Sequence, residues 1–188
     1  YERLKEAGQI SADHFNHLVG QTLAFVQTLQ NSSDGAWYRE NPGLKEKVNG
    51  AMKIISGMLA IQKLSFNFPE KLIDLCLTAA ADEEACDHFN VIYVLKYASQ
   101  LTEHTHRFSD IQLFSERRLD LYRDHFFPAY GGFSSIKNKS NEVYYGQRIT
   151  RGLNEPDIHG TCMFLWGISI IVQILGIDRE LGFKEFET

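Results

Sequence analysis

Apolar residues recur along most of the chain at steps of three and four, the spacing of one helical face. From Ser11 the run Phe15, Leu18, Val19, Leu23, Val26, Leu29 follows this step, with Ser11 placed to cap and Asp13 in the first turn. This predicts a first helix from Ser11 to near Gln30. A second helix follows the turn-rich Asn31-Ser32-Ser33-Asp34-Gly35 and carries Val48, Met52, Ile55, Met58, Leu59 and Gln62. Its Gly50 and Gly57, seven apart, would share a face and permit close packing. Asn67-Phe68-Pro69-Glu70 opens a third, with proline early in the first turn and Leu72, Ile73, Leu75 and Cys76 behind it. Asp82-Glu83-Glu84 opens a fourth through Phe89, Ile92 and Leu95 to Leu101. A fifth runs from Ser109-Asp110 to about Phe127, and a sixth, very apolar, from Asp157 to Leu175. The four prolines fall where the pattern lapses. No useful stretch alternates with period two, so the expected class is all-α.

Between the fifth and sixth helices lies a loop of roughly thirty residues, longer than an idle connection is expected to be. It carries Gly131-Gly132-Phe133 and Glu142-Val143-Tyr144-Tyr145-Gly146. The chain of 188 residues, 44% apolar and 23% charged, fits a single domain over 1–188 with a real core. A net charge of -5 with no basic cluster speaks against a nucleic-acid partner. The odd, widely spaced Cys76, Cys86 and Cys162 read as buried thiols in a reducing, cytoplasmic setting. The apolar run from Met163 to Ile177 is shorter than the ~20 residues of a bilayer span and reads as a core helix, so no transmembrane segment is expected. No secretory signal opens the chain, which starts at Tyr1 without an initiator methionine.

Two segments repeat. Asn49-Gly50-Ala51-Met52 through Gly57-Met58 aligns with His159-Gly160-Thr161-Cys162 through Gly167-Ile168, both glycines in register. Each follows a glycine-aromatic turn, Asp34-Gly35-Ala36-Trp37 in one case and Gly131-Gly132-Phe133-Ser134 in the other. A unit of outer helix, glycine-aromatic loop and inner helix must stack on copies of itself to bury both faces. Three such hairpins account for six helices, although the middle one lacks the glycine-aromatic loop.

Gly131-Gly132-Phe133, Glu142-Val143-Tyr144-Tyr145 and Asp157-Ile158-His159-Gly160-Thr161-Cys162 resemble the repeats of protein prenyltransferase β subunits. Asp34-Gly35-Ala36-Trp37 is similar to the same turn there and in squalene and hopene cyclases. The resemblance covers two of the three hairpins and implies an α/α toroid-like stack, here a partial toroid, with an aromatic pocket for an isoprenoid-like or other apolar ligand. It implies that a second copy, or a larger parent chain, completes the ring. The family's zinc set maps imperfectly: its acid falls on Glu142, but its cysteine position holds Tyr144 and its histidine position Gly160, with His159 one place early. Tyrosine does not replace a thiolate on zinc. The cyclases' Asp-x-Asp-Asp acid is missing as well.

Polar residues opening the inner helices supply the candidate chemistry. Asn49, Asp87 with His88 and Asn90, and Asp157 with His159 head the second, fourth and sixth helices. Pointing one way, they would converge beside Trp37, Tyr38, Tyr144, Tyr145 and Trp166, as polar groups do inside an aromatic ligand site. Asp157 and His159 are the expected acid and base, Asp87 a charge partner, and Tyr144 and Trp166 walls able to stabilise a cation. Cys162, near the start of the sixth helix, is a candidate contact and a weaker nucleophile candidate. Glu83, Glu84 and Asp87 have the spacing by which carboxylates hold magnesium, though acids in a first turn also serve the helix dipole. The pairs His14/His17 and His104/His106 lack a metal-site spacing and read as surface groups. Two competing classes share the architecture: carbohydrate-active lyases or hydrolases, with polysaccharide as partner, and non-enzymatic scaffolds whose concave face binds another protein.

Overall fold

A computed structural model describes residues 2–80 and 84–183. It is mainly helical. In chain order the elements are α1 (Glu2–Glu6), α2 (Ala12–Thr28), α3 (Leu44–Ala60), α4 (Pro69–Leu77), α5 (Ala85–Leu101), α6 (Phe108–Arg123), β1 (Phe126–Phe127), β2 (Gly132–Phe133), β3 (Val143–Tyr144), β4 (Gln147–Arg148), α7 (Ile158–Leu175) and α8 (Asp178–Leu181). The six expected helices correspond to α2 to α7. Local chemistry explains their starts: Ser11 accepts the His14 amide, Pro69 sits in the first turn of α4, and Asp157 accepts the Gly160 amide at 2.7 Å.

Helix α5 organises the molecule. Every residue from His88 to Ser99 is buried, so it has no solvent face and lacks the one-sided patterning of a surface helix. It packs between α3 and α7, while α4 and α6 cover it from outside and α6 also lies on α7. The result is two layers, with α3, α5 and α7 side by side in the inner one. Phe164, Ile170 and Ile171 of α7 and Ile55 and Met58 of α3 are fully buried in the shared core. Among the described residues α7 alone is long and apolar enough to cross a bilayer, and 44% of it is buried in this packing. Helix α2 lies along α3 across an apolar groove of about 390 Å³.

Four details depart from the sequence expectation. The fifth helix stops at Arg123, because Phe126 and Phe127 pair with Phe133 and Gly132 in a small antiparallel hairpin. The long loop holds a second hairpin, β3–β4, turned by Tyr145 and Gly146 at φ 47° and 76°. Two positive φ values define the tight turn that suits strand twist. The fourth helix begins at Ala85, and Asp82 and Glu83 lie outside the described residues. Finally, Gly57 has no packing role: a Cβ there would meet nothing within 4 Å, because α2 stands off across the groove.

Candidate functional site

The three inner helices start at one end of the molecule, and their first turns wall a chamber of about 540 Å³. From α3 it takes Lys45, Asn49 and Met52; from α5 Cys86, Asp87, Asn90 and Tyr93; from α7 His159, Met163 and Trp166. Tyr144 and Tyr145 close it from the β3–β4 hairpin.

Specific bonds hold these starts together. Ser135 ties α5 to α7: its carbonyl accepts the Ala85 amide at 2.8 Å, while its own amide and hydroxyl donate to Asp157 at 2.8 and 2.6 Å. Gly160 permits this contact, since a Cβ there would lie 2.3 Å from the Ser135 nitrogen. Across the chamber, Cys86 Sγ and His159 Nε2 are 2.9 Å apart. Helices α3 and α5 are joined by the Lys45–Asp87 ion pair at 2.5 Å and by Asn90 Nδ2 donating to Asn49 Oδ1 at 3.4 Å.

The deep wall is aromatic. Phe89 lies 4.7 Å from Trp166 between ring centroids, and Tyr93 lies 5.9 Å from the same indole, edge to face. At the mouth Tyr144 packs on His159 at 4.6 Å and on Tyr145 at 4.5 Å. Tyr145 itself is 83% exposed, as the tip of a turn must be. Burial, with Cys86 and Tyr145 beside it, pushes the Tyr144 phenol up to about 12. Burial also raises the Cys86 thiol above its ordinary value, reinforced by the charges of Asp87 and Glu84. Both groups therefore hold their protons at neutral pH.

Of the residues expected from sequence, Asn49, Asp87, Asn90, Tyr144, Tyr145, His159 and Trp166 line the chamber together. Four do not. Trp37 turns inward, 7% exposed, and meets Phe66 edge to face at 5.2 Å. Tyr38 donates its hydroxyl to Asp34 and lies under the ammonium of Lys47 on α3. Cys162 points to the other side of α7, exposed beside a broad groove with Tyr130, Ile149 and Ile158. It is neither a buried thiol nor a chamber contact.

Asp157 requires the largest correction. Instead of facing a ligand as an acid or base, it caps α7 and accepts from Gly160, Ser135 and Asn141. Burial alone would raise its pKa, but these donors outweigh burial and hold it below the ordinary carboxylate value. A carboxylate so engaged fixes the start of α7 against the Ser135 loop.

The sequence reading missed Cys86, Lys45 and the methionines Met52 and Met163. Cys86 was legible as the residue next to Asp87 in a first helical turn, but its partner His159 is 73 positions away and only folding brings them together. The two histidine pairs lie apart from the chamber: His14 and His17 are exposed on α2, His104 packs on Phe108, and His106 meets Asp74 at 3.0 Å.

Glu142 lies against Arg148, 3.5 Å away, and is not part of the chamber wall, while Tyr144 occupies the position of a thiolate ligand. The Lys45 ammonium takes the Asp87 carboxylate that magnesium would need, and Glu83 lies outside the described residues. Among the described residues no three His, Cys, Asp or Glu side chains converge on a point where a metal ion would sit. The residues present do not fit zinc as the resemblance would use them. Comparison with known proteins returns no matching family model, no matching curated protein and no matching solved structure.

Proposed function

We infer that the chain is an α/α-toroid-like stack of three hairpins, similar to protein prenyltransferases and terpene cyclases, and that its chamber binds an elongated, mostly apolar ligand of isoprenoid type. One observation carries this reading: three parallel helix starts, tied by Ser135, Asn49–Asn90 and Cys86–His159, meet at a cavity whose depth is aromatic and whose mouth is polar. Such a gradient orients an amphipathic ligand, with its chain on Phe89, Tyr93 and Trp166 and its polar end at the mouth. Proton transfer at the mouth falls to His159, the imidazole that lines it. Asp87 acts as the charge partner that holds Lys45 in place. Tyr144 and Trp166 present π faces to any positive charge that develops. Three free thiols suit a reducing, cytoplasmic compartment.

A second reading draws on the Asn49–Asn90 amide pair beside His159 and Tyr144, since planar amides with aromatic rings also suit a sugar acid. Mass spectrometry of organic extracts from purified protein separates the two. The apolar reading predicts a stoichiometric lipid in the wild type that is absent from Trp166→Ala. An empty extract, with binding to an acidic polysaccharide that disappears in Tyr144→Phe, overturns it in favour of the sugar reading.

A further inference from the structure

Cys86 enters the reading above only as a tie between helices, yet it also faces an imidazole inside the chamber. It is the second residue of the 17-residue α5, lines the chamber, and lies 2.9 Å from His159 Nε2. Burial and the neighbouring Asp87 and Glu84 keep the thiol protonated, and in the tautomer that carries its proton on Nδ1 the imidazole accepts the S–H at Nε2. That is the arrangement of a nucleophile with a general base: the proton moves to nitrogen as the sulfur attacks, so no free thiolate has to accumulate. The Tyr144 ring, 4.6 Å from the imidazole, fixes its plane, and the Lys45–Asp87 pair closes the side towards α3. The other cysteines provide contrast, Cys76 being fully buried on the core face of α4 and Cys162 exposed on the far side of α7.

We propose that Cys86 is a nucleophile, with His159 as its general base, acting on a soft electrophilic carbon that the chamber's ligand brings in. In that step an electron pair on Sγ forms the S–C bond, the thiol proton passes to His159 Nε2, and the leaving group departs with the electrons of its bond to carbon. The imidazolium then releases the proton to the leaving group or to water. The proposal deepens the apolar reading and rests on it for the nature of the electrophile.

The test alkylates the full chain at pH 7.5 with iodoacetamide and, separately, with N-hexyl iodoacetamide, and follows each cysteine peptide by mass spectrometry with Cys162 as internal reference. Iodide is the leaving group in both reagents. With iodoacetamide, Cys86 is expected to react about tenfold faster in the wild type than in His159→Gln, with Cys162 unchanged. A slowing of about twofold in D2O, confined to Cys86, reads the proton transfer in the wild type and needs no variant to fold. Equal Cys86 rates in wild type and His159→Gln, or no selective slowing in D2O, overturn the proposal. The hexyl chain is expected to raise the Cys86 rate over that of Cys162. Should His159 dependence hold without that preference, the nucleophile stands and the apolar reading of the chamber fails.

Discussion

The first and third hairpins carry the same glycine pattern, yet the structure uses it differently. In the third, Gly160 presses on the backbone of Ser134 and Ser135, and a Cβ at Gly167 would fall 2.7 Å from the Tyr122 hydroxyl. In the first, a Cβ at Gly50 would sit 3.4 Å from the Trp37 carbonyl and one at Gly57 in open space. The difference follows from what covers each inner helix. Helix α7 is gripped by α5, α6 and the Gly131–Ser135 turn, whereas α3 has α5 on one side and only the loosely seated α2 beyond the groove. Similar sequence in a repeat therefore specifies the path of the chain, while neighbours decide how tightly it closes. The tight hairpin contributes His159 and Trp166 to the chamber; the loose one contributes Asn49 and Lys45 from its inner helix but keeps its aromatic turn for the core.

This contrast can be broken at defined points. The largest effect is expected for Gly160→Ala, which must displace backbone at Ser134 and Ser135 and should cost about 3 kcal/mol in urea denaturation. A loss below about 1 kcal/mol would show that the turn yields and that the third hairpin is no tighter than the first. Next comes Asp157→Ala, which removes a helix cap and strands the Ser135 and Asn141 amides, at about 2 kcal/mol. Because the folded-state pKa of Asp157 is depressed, its contribution is fully present above about pH 4, the unfolded value, and is lost as pH falls through the folded value. The gap between wild type and Asp157→Ala should therefore narrow in acid, and a gap that stays constant down to about pH 2 would contradict the assignment. The first hairpin has no aspartate at the position of Asp157, which aligns with Lys47; its turn aspartate, Asp34, accepts from Ala36, Tyr38 and Lys47, and Asp34→Ala should cost less, about 1 kcal/mol. The smallest effect has the opposite sign: Gly57→Ala fills empty space in a helix interior and should stabilise by about 0.5–1 kcal/mol.

Much of the architecture was legible because helical periodicity and capping are local. Ser11, Pro69 and Asp157 mark real helix starts, and of the polar heads Asn49, Asp87, Asn90 and His159 share one chamber wall, while Asp157 and the buried His88 do not line it. What misled was the fate of side chains that sequence presents alike. Trp37 and Trp166 are both aromatic residues near repeated turns or helices, but a turn can fold its indole inward, and only burial against Phe66 tells the two apart. Asp157 looked like chemistry because an acid beside a histidine is what a catalytic pair looks like. Besides the local Gly160 amide, its hydrogen-bond donors come from a loop 16 and 22 residues upstream, beyond the reach of any local pattern. The Cys86–His159 pair was hidden for the same reason, since its two members belong to helices that only tertiary packing brings together.

The two tryptophans also offer the most direct test of the chamber itself, since Trp166 lines it and Trp37 is packed in the core of the first hairpin. Farnesol titrated into the single-tryptophan variants Trp37→Phe and Trp166→Phe, followed by intrinsic fluorescence, should produce a saturable change in the Trp166 signal and none in the Trp37 signal. A flat response from Trp166, or equal responses from both, would contradict an apolar ligand chamber at the joined starts of α3, α5 and α7.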